Sequence, residues 1–239
     1  MSSTSSFYLL AFSLLLQGVF GVDPLFNFCS NTGNFTAGGP YETNLNKLFD
    51  YLSYQAPPSG FGVGSIGQNS EQTYGLTLCR GDVSSSDCKT CIVDAGFEIL
   101  KRCPYNKGAI IWYDNCLLKY SNMDFFGQTD LQNRFYMYNL NNVSDPVQFN
   151  QKTKELLRQL ATEAYANQKF YSTGTMELGE SHKLYGLTQC TRDISRDDCK
   201  KCLDEIIGEL PSCCDGKEGG RVVGGSCNFR YEIYPFVNA

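Results

Sequence analysis

Five cysteines of this chain recur in strict register. Cys79, Cys88, Cys91, Cys103 and Cys116 return as Cys190, Cys199, Cys202, Cys214 and Cys227, each partner 111 residues further on (190 − 79, and so for the rest). Other residues keep the register: Tyr74-Gly75-Leu76-Thr77 returns as Tyr185-Gly186-Leu187-Thr188, and Lys119-Tyr120 as Arg230-Tyr231. Such a period is too long for a solenoid unit, so the chain reads as two copies of one domain. Its 239 residues give each copy enough length for a hydrophobic core of its own.

Met1 to Val22 has no charged side chain, an apolar run from Phe7 to Leu16, and Val19 and Gly21 placed as the small residues before a cleavage site. That pattern predicts an export signal over residues 1–22, cut after Gly21. The apolar run is shorter than the ~20 residues a bilayer requires. No second such run follows, and we expect an exported protein with neither membrane anchor nor kinase. The sequons Asn34-Phe35-Thr36 and Asn142-Val143-Ser144 fit that route. Net charge is −5 and neither half carries a basic field, which argues against nucleic acid as a partner.

Twelve cysteines behind an export signal read as disulfides, because an oxidising compartment turns closely placed thiols into bridges. Six cysteines per half permit fifteen connectivities. Geometry narrows them: Cys79 ends a strand and Cys88 opens a helix, so a bridge there staples one to the other. Cys91, a turn along, then reaches the last strand at Cys116, leaving Cys29 for Cys103. By the same scheme Cys190 joins Cys199 and Cys202 joins Cys227. The second copy has no counterpart of Cys29 but gains Cys213 beside Cys214, which leaves these two for each other or for an outside thiol; we favour the vicinal bridge. Zinc held by thiolates and a redox Cys-x-x-Cys pair are the sharper readings of Cys88/Cys91 and Cys199/Cys202. Export, the even count and the structural partners on offer favour bridges over both, so neither metal nor cofactor is expected.

Along the first copy, Leu45, Leu48, Phe49 and Leu52 mark an amphipathic helix over residues 41–54, ended by Pro57-Pro58-Ser59-Gly60. Residues 61–70 hold four glycines and read as a bent strand or turn, and 73–78 as a strand. Ser84 to Asp87 start a second helix with Cys88, Cys91, Ile92, Ala95 and Ile99 on one face. Residues 109–113 and 116–120 form a hairpin about Asp114-Asn115. The second copy repeats the order, opening on a long helix from Val147 to Asn167. The domains are therefore expected at 23–132 and 147–239, with 133–146 as linker.

No catalytic constellation emerges, and we expect no enzyme. His182 stands alone at the start of an edge strand, and Asp197/Asp198 sit at a helix start where they favour the dipole. The more informative surface is the last hairpin, which brings Arg221 beside Arg230, Tyr231 and Glu232. Arg and carboxylate groups bond sugar hydroxyls while an aromatic ring covers the apolar sugar face. The competing reading is a cross-strand ion pair.

The doubled Cys-x8-Cys-x2-Cys spacing (Cys79/Cys88/Cys91 and Cys190/Cys199/Cys202), the Tyr-Gly ahead of it and the closing Arg230-Tyr-Glu-Ile-Tyr-Pro-Phe236 resemble the plant cysteine-rich repeat secretory proteins, built of ginkbilobin-type domains. The resemblance implies an α+β fold in each unit, two helices on a five-stranded antiparallel sheet, with the three bridges above. It implies a role in plant defence in the apoplast, with an antifungal protein among the relatives. It also implies two classes of partner: a glycan ligand, or related ectodomains of receptor kinases and plasmodesmal proteins. In the ginkgo relative, mannose is bound by an Asn just after the first cysteine, an Arg on the fourth strand and a Glu on the fifth. Carried over, the first copy offers Ser30, Ile110 and Ser121, which cannot form that set. The second keeps Arg221 and Glu232 but lacks the first cysteine from which an Asn would be placed.

Overall fold

Each copy folds because short β-rich runs feed amphipathic helices that cover one face of the sheet they make. The computed structural model describes residues 23–179 and 182–237; the export signal over 1–22 lies outside the described residues. The first domain runs β1 (Phe26–Cys29), α1 (Pro40–Gln55), β2 (Phe61–Ile66), β3 (Thr73–Cys79), α2 (Ser85–Arg102), β4 (Gly108–Trp112) and β5 (Cys116–Ser121). The second repeats this as β6 (Arg134–Tyr138), α3 (Pro146–Ala166), β7 (Tyr171–Glu177), β8 (Lys183–Cys190), α4 (Arg196–Gly208), a short α5 (Leu210–Cys213), β9 (Gly220–Gly224) and β10 (Cys227–Glu232). The strand orders are β1-β4-β5-β3-β2 and β6-β9-β10-β8-β7, and every pairing is antiparallel. Each domain is thus the α+β unit that the resemblance implied.

Local chemistry sets the helix ends. Pro40 and Pro146 open α1 and α3, where the missing N–H costs nothing. Ser84 and Ser195 cap α2 and α4 by accepting the amides of Asp87 and Asp198, both at 3.1 Å. Leu45, Leu48 and Leu52 of α1, and Leu156, Leu157 and Leu160 of α3, are buried against their sheets. Close approach there requires glycine: a Cβ on Gly75 would lie 2.7 Å from a Leu48 methyl, and one on Gly186 2.8 Å from a Leu160 methyl.

All twelve cysteines are bridged: Cys29–Cys103, Cys79–Cys88, Cys91–Cys116, Cys190–Cys199, Cys202–Cys227 and Cys213–Cys214. Neither Cys-x-x-Cys pair bonds within itself, since each member staples the helix to a different strand. In the chain-entropy picture the bridges spanning nine residues contribute about 3 kcal/mol, and Cys29–Cys103, spanning 74, about 4.5 kcal/mol. The second domain lacks that long staple.

One expectation requires correction. Residues 134–138, placed in the linker by their sequence, form the edge strand β6 of the second sheet. Tyr138 pairs with Gly220 as Cys29 pairs with Ala109, and Phe135 with Val223 as Phe26 with Trp112. The first strands are thus 109 residues apart (138 − 29) while the elements from β3 and β8 onward are 111 apart, and a two-residue slip hides the match.

The two sheets meet through the faces their helices leave uncovered. Leu76, Leu78, Ile110, Trp112 and Leu117 of the first sheet pack with Phe135 and Val223 of the second. The Phe26 and Phe135 rings stack with centroids 5.2 Å apart, and Trp112 meets Phe135 edge-on at 5.3 Å. Backbone polar groups on the seam find side chains across it: Trp112 Nε1 donates to the Gly224 carbonyl at 3.1 Å, and Gln189 Nε2 to that of Cys79 at 3.0 Å. No helix among the described residues is long and apolar enough to cross a membrane.

Candidate functional site

The strand alternation of β9 and β10 points Arg221, Arg230 and Glu232 to the uncovered face of the second sheet, with Arg221 and Arg230 directly opposite each other. Tyr231 faces the other way. It is buried under the helices, its hydroxyl donating to the carbonyls of Cys214 (3.1 Å) and Lys217 (3.2 Å), and burial pushes its phenol well above the ordinary range. The aromatic residue on this side is instead Tyr234 beyond β10, whose hydroxyl accepts from Arg230 at 3.4 Å. Tyr234 lines a pocket of about 300 Å³ together with Met137, Tyr138, Asn139, Arg221, Arg230 and Glu232.

Asn139 follows Tyr138, the residue standing where the first domain has Cys29. Its amide donates to the Gly219 carbonyl at 2.9 Å, as the amide of Ser30 does to Gly108 at 2.8 Å. Asn139 is therefore the structural counterpart of the residue after the first cysteine. Sequence reasoning missed it because the marker cysteine is absent and the strand is out of register by two. The signal that could have found it is the aromatic strand Arg134–Tyr138 itself, read as a copy of Phe26–Cys29.

Charges in this region are interleaved. Two like charges directly opposite on neighbouring strands repel, and here carboxylates stand between them. Glu232 accepts from Arg230 Nε at 2.9 Å. Asp114, from the β4–β5 turn of the first domain, meets Arg221 at 2.5 Å, Arg230 at 3.6 Å and Arg80 at 3.7 Å. Arg80 is gripped at two points by Asp82, at 2.6 and 2.9 Å. Burial works to raise the pKa of Asp114, but the guanidiniums of Arg221, Arg230 and Arg80 outweigh it and hold the carboxyl below its ordinary value. Burial, aided by Arg230, pushes Arg221 below its own. The side chain of Arg221 is 14% exposed and that of Glu232 9%. Gly219 lets Glu232 sit there, since a Cβ would collide with its carboxylate.

Arg221 and Glu232, named from sequence, thus share one pocket. Arg221 carries in addition an ion pair to the other domain, which the sequence did not indicate. In the first copy the corresponding Ile110 is buried in the seam between the sheets, so that face is spent on packing. Asn34 and Asn142 are exposed and occupy equivalent places, paired through isolated bridges with Asn106 and Lys217. His182 is exposed. Among the described residues no group of histidine, cysteine and carboxylate side chains could hold a metal ion.

The sequence profile of the family described as "Salt stress response/antifungal" matches residues 28–123 and again 137–234. The chain is 60% identical over 234 residues to an antimicrobial ginkbilobin-2-like protein of Castanea crenata, covering 98% of this chain and 96% of that protein. It is 58% identical over 216 residues to cysteine-rich repeat secretory protein 38 of Arabidopsis thaliana, covering 89% and 85%. Among solved structures, the tandem DUF26 ectodomain of the Arabidopsis thaliana cysteine-rich receptor-like protein PDLP8 superposes with a TM-score of 0.79 at 27% identity, over 90% of this chain and all of that one. The corresponding ectodomain of PDLP5, at 24% identity and a TM-score of 0.73, shares the fold. With two matched domains and relatives of this identity along nearly its whole length, the chain belongs to the salt stress response/antifungal family, whose members include secretory cysteine-rich repeat proteins.

Proposed function

We propose that the protein is a non-catalytic binding protein of the plant apoplast that recognises a mannose-type glycan of wall or fungal origin, in defence. The observation that carries this reading is one pocket that gathers Asn139, Arg221, Arg230 and Glu232 with the aromatic Tyr234. Guanidinium and amide N–H groups donate to sugar hydroxyls, the carboxylate accepts from them, and an aromatic face covers the apolar C–H side of the ring. A glycan array probed with the secreted chain tests it. Mannans are expected to bind the wild type and to lose binding on Asn139→Ala or Glu232→Gln. Equal binding by wild type and both variants, or none by the wild type, sinks the reading.

A second reading is association with an ectodomain of the same fold. Its support is the likeness to the PDLP8 ectodomain and an apolar groove between α1 and α2, lined by Phe49, Ile92, Val93, Gly96 and Phe97, with Phe97 75% exposed. The second copy has Asp204 and Gly208 where the first has Val93 and Phe97. Pull-down of such an ectodomain that survives Asn139→Ala and is lost on Phe97→Ser favours this reading over the glycan.

A further inference from the structure

We infer that Asp114, a residue of the first domain, is a positioning residue for the pocket of the second, so that the site is a property of the tandem and not of one repeat. The inference rests on the glycan reading for its binding consequence, and on geometry for its structural one.

Arg221 and Arg230 are opposite neighbours on β9 and β10, and their guanidiniums splay apart unless negative charge lies between them. Within the second domain Glu232 pairs with Arg230 through its Nε, at 2.9 Å. Among the described residues, no carboxylate of the second domain lies within ion-pair distance of Arg221; its ion pair is to Asp114, with Arg230 touching the same carboxylate at 3.6 Å. That carboxylate is rigidly presented. Its turn is closed by the Tyr113 amide on the Cys116 carbonyl (2.7 Å) and by the Arg80 amide on that of Asn115 (2.9 Å). Cys116 is bridged to Cys91 of α2, and Arg80 leans on Asp114 from the far side while held by Asp82. A planar guanidinium fixed at one edge keeps its remaining N–H donors in a set direction. Arg221 lines the pocket with Asn139 and Glu232.

The two copies have diverged at both ends of this contact. Arg221 corresponds to Ile110, and Asp114 to Gly225. The arginine is found only in the second copy and its holder only in the first, so the contact runs one way across the seam.

The test uses the complete mature chain and three variants. Asp114→Asn removes the charge and Asp114→Glu restores it on a longer arm. Ser226→Ala removes a different contact between the domains, the 2.8 Å bond from the Asp130 amide, without touching Arg221. The readouts are the 15N resonance of Arg221 Nε–H, assigned by its loss in Arg221→Lys, and binding to yeast mannan. Asp114→Asn is expected to move that resonance and weaken mannan binding about tenfold, equivalent to about 1.4 kcal/mol. Asp114→Glu should recover part of both, and Ser226→Ala should change neither. An Arg221 resonance unmoved by Asp114→Asn overturns the inference, as does a resonance that Ser226→Ala moves equally. Should Asp114→Asn fail to fold, the Glu variant decides: its displaced carboxylate must still shift the resonance. Should the wild type bind no mannan, the glycan reading falls and the resonance alone decides whether Asp114 positions Arg221.

Discussion

Asn139 is the residue through which the pocket can be tested without disturbing the rest of the molecule. Its side chain accepts only the Asn141 amide, at 3.0 Å, so Asn139→Ala should stay within about 0.5 kcal/mol of wild-type stability while weakening glycan binding. Chemical denaturation and a binding isotherm on the same preparation check the two halves of that statement. Arg221→Ala is a poorer probe, since it also removes the shortest of the three ion pairs of Asp114. Gly186 tests the packing: Gly186→Ala pushes a methyl against Leu160 and Leu156, and overpacking of this kind should cost about 1–3 kcal/mol, read as a lower denaturation midpoint. At this scale the sequence was legible where chemistry and spacing coincided, as at Arg221 and Glu232. It was silent where a partner came from the other copy, as at Asp114, because nothing local marks a turn aspartate as the acceptor for an arginine on a strand 107 residues away.

The elements divide by how much of their identity is written along them. The helices were plain, because capping serines, prolines and leucines at helical spacing fix both ends and the buried face. The hairpin of β4 and β5 was equally plain. The edge strand β6 was not: of its five residues only Phe135 is buried, so no alternation shows, and the missing cysteine removes the landmark that identifies β1. The same absence has an energetic side. Strand β1 is tied covalently to the end of α2 by Cys29–Cys103, whereas β6 is held without a bridge, by pairing to β9, by Phe135 and by the contacts of Arg134 and Tyr136 with Glu205 and Glu209. Backbone amides of β6 should exchange with solvent faster than those of β1, which hydrogen–deuterium exchange with peptide resolution will show. Replacing Cys29 and Cys103 together by Ser should destabilise the first domain by about 4 kcal/mol. Replacing Cys213 and Cys214 should cost far less, because a bridge between neighbours closes no loop.

Across the whole molecule, the seam joins an apolar patch to a rim of ion pairs, and the two respond to different variables. Asp114 is held below its ordinary 3.8 by Arg221, Arg230 and Arg80, and Asp130 likewise by Lys119 and Asn133, in each case against the opposing pull of burial. A depressed carboxyl lends stability that is complete above its unfolded value and is lost as pH falls through the folded one. The rim should therefore be intact at pH 5 and above and weaken only as pH falls below 3.8 toward the depressed folded values, with salt weakening its exposed part. Trp112 is the sole tryptophan and is 2% exposed in the seam, so a red shift of its emission on acidification, before loss of the far-ultraviolet signal, is the expected course. An emission spectrum that stays constant until the far-ultraviolet signal is lost contradicts it.

Because the two sheets lean on each other through the surface their helices leave bare, the leading half cannot be made by itself without a new problem of solubility. Cut at residue 123, the leading half would show water an oily sheet of Leu76, Leu78, Ile110, Trp112 and Leu117. It should cluster in light-scattering measurements, while the trailing half keeps its charged strands facing solvent. Doubling the unit freed one copy to become ballast for the other, and the division of labour cannot now be undone by separating them.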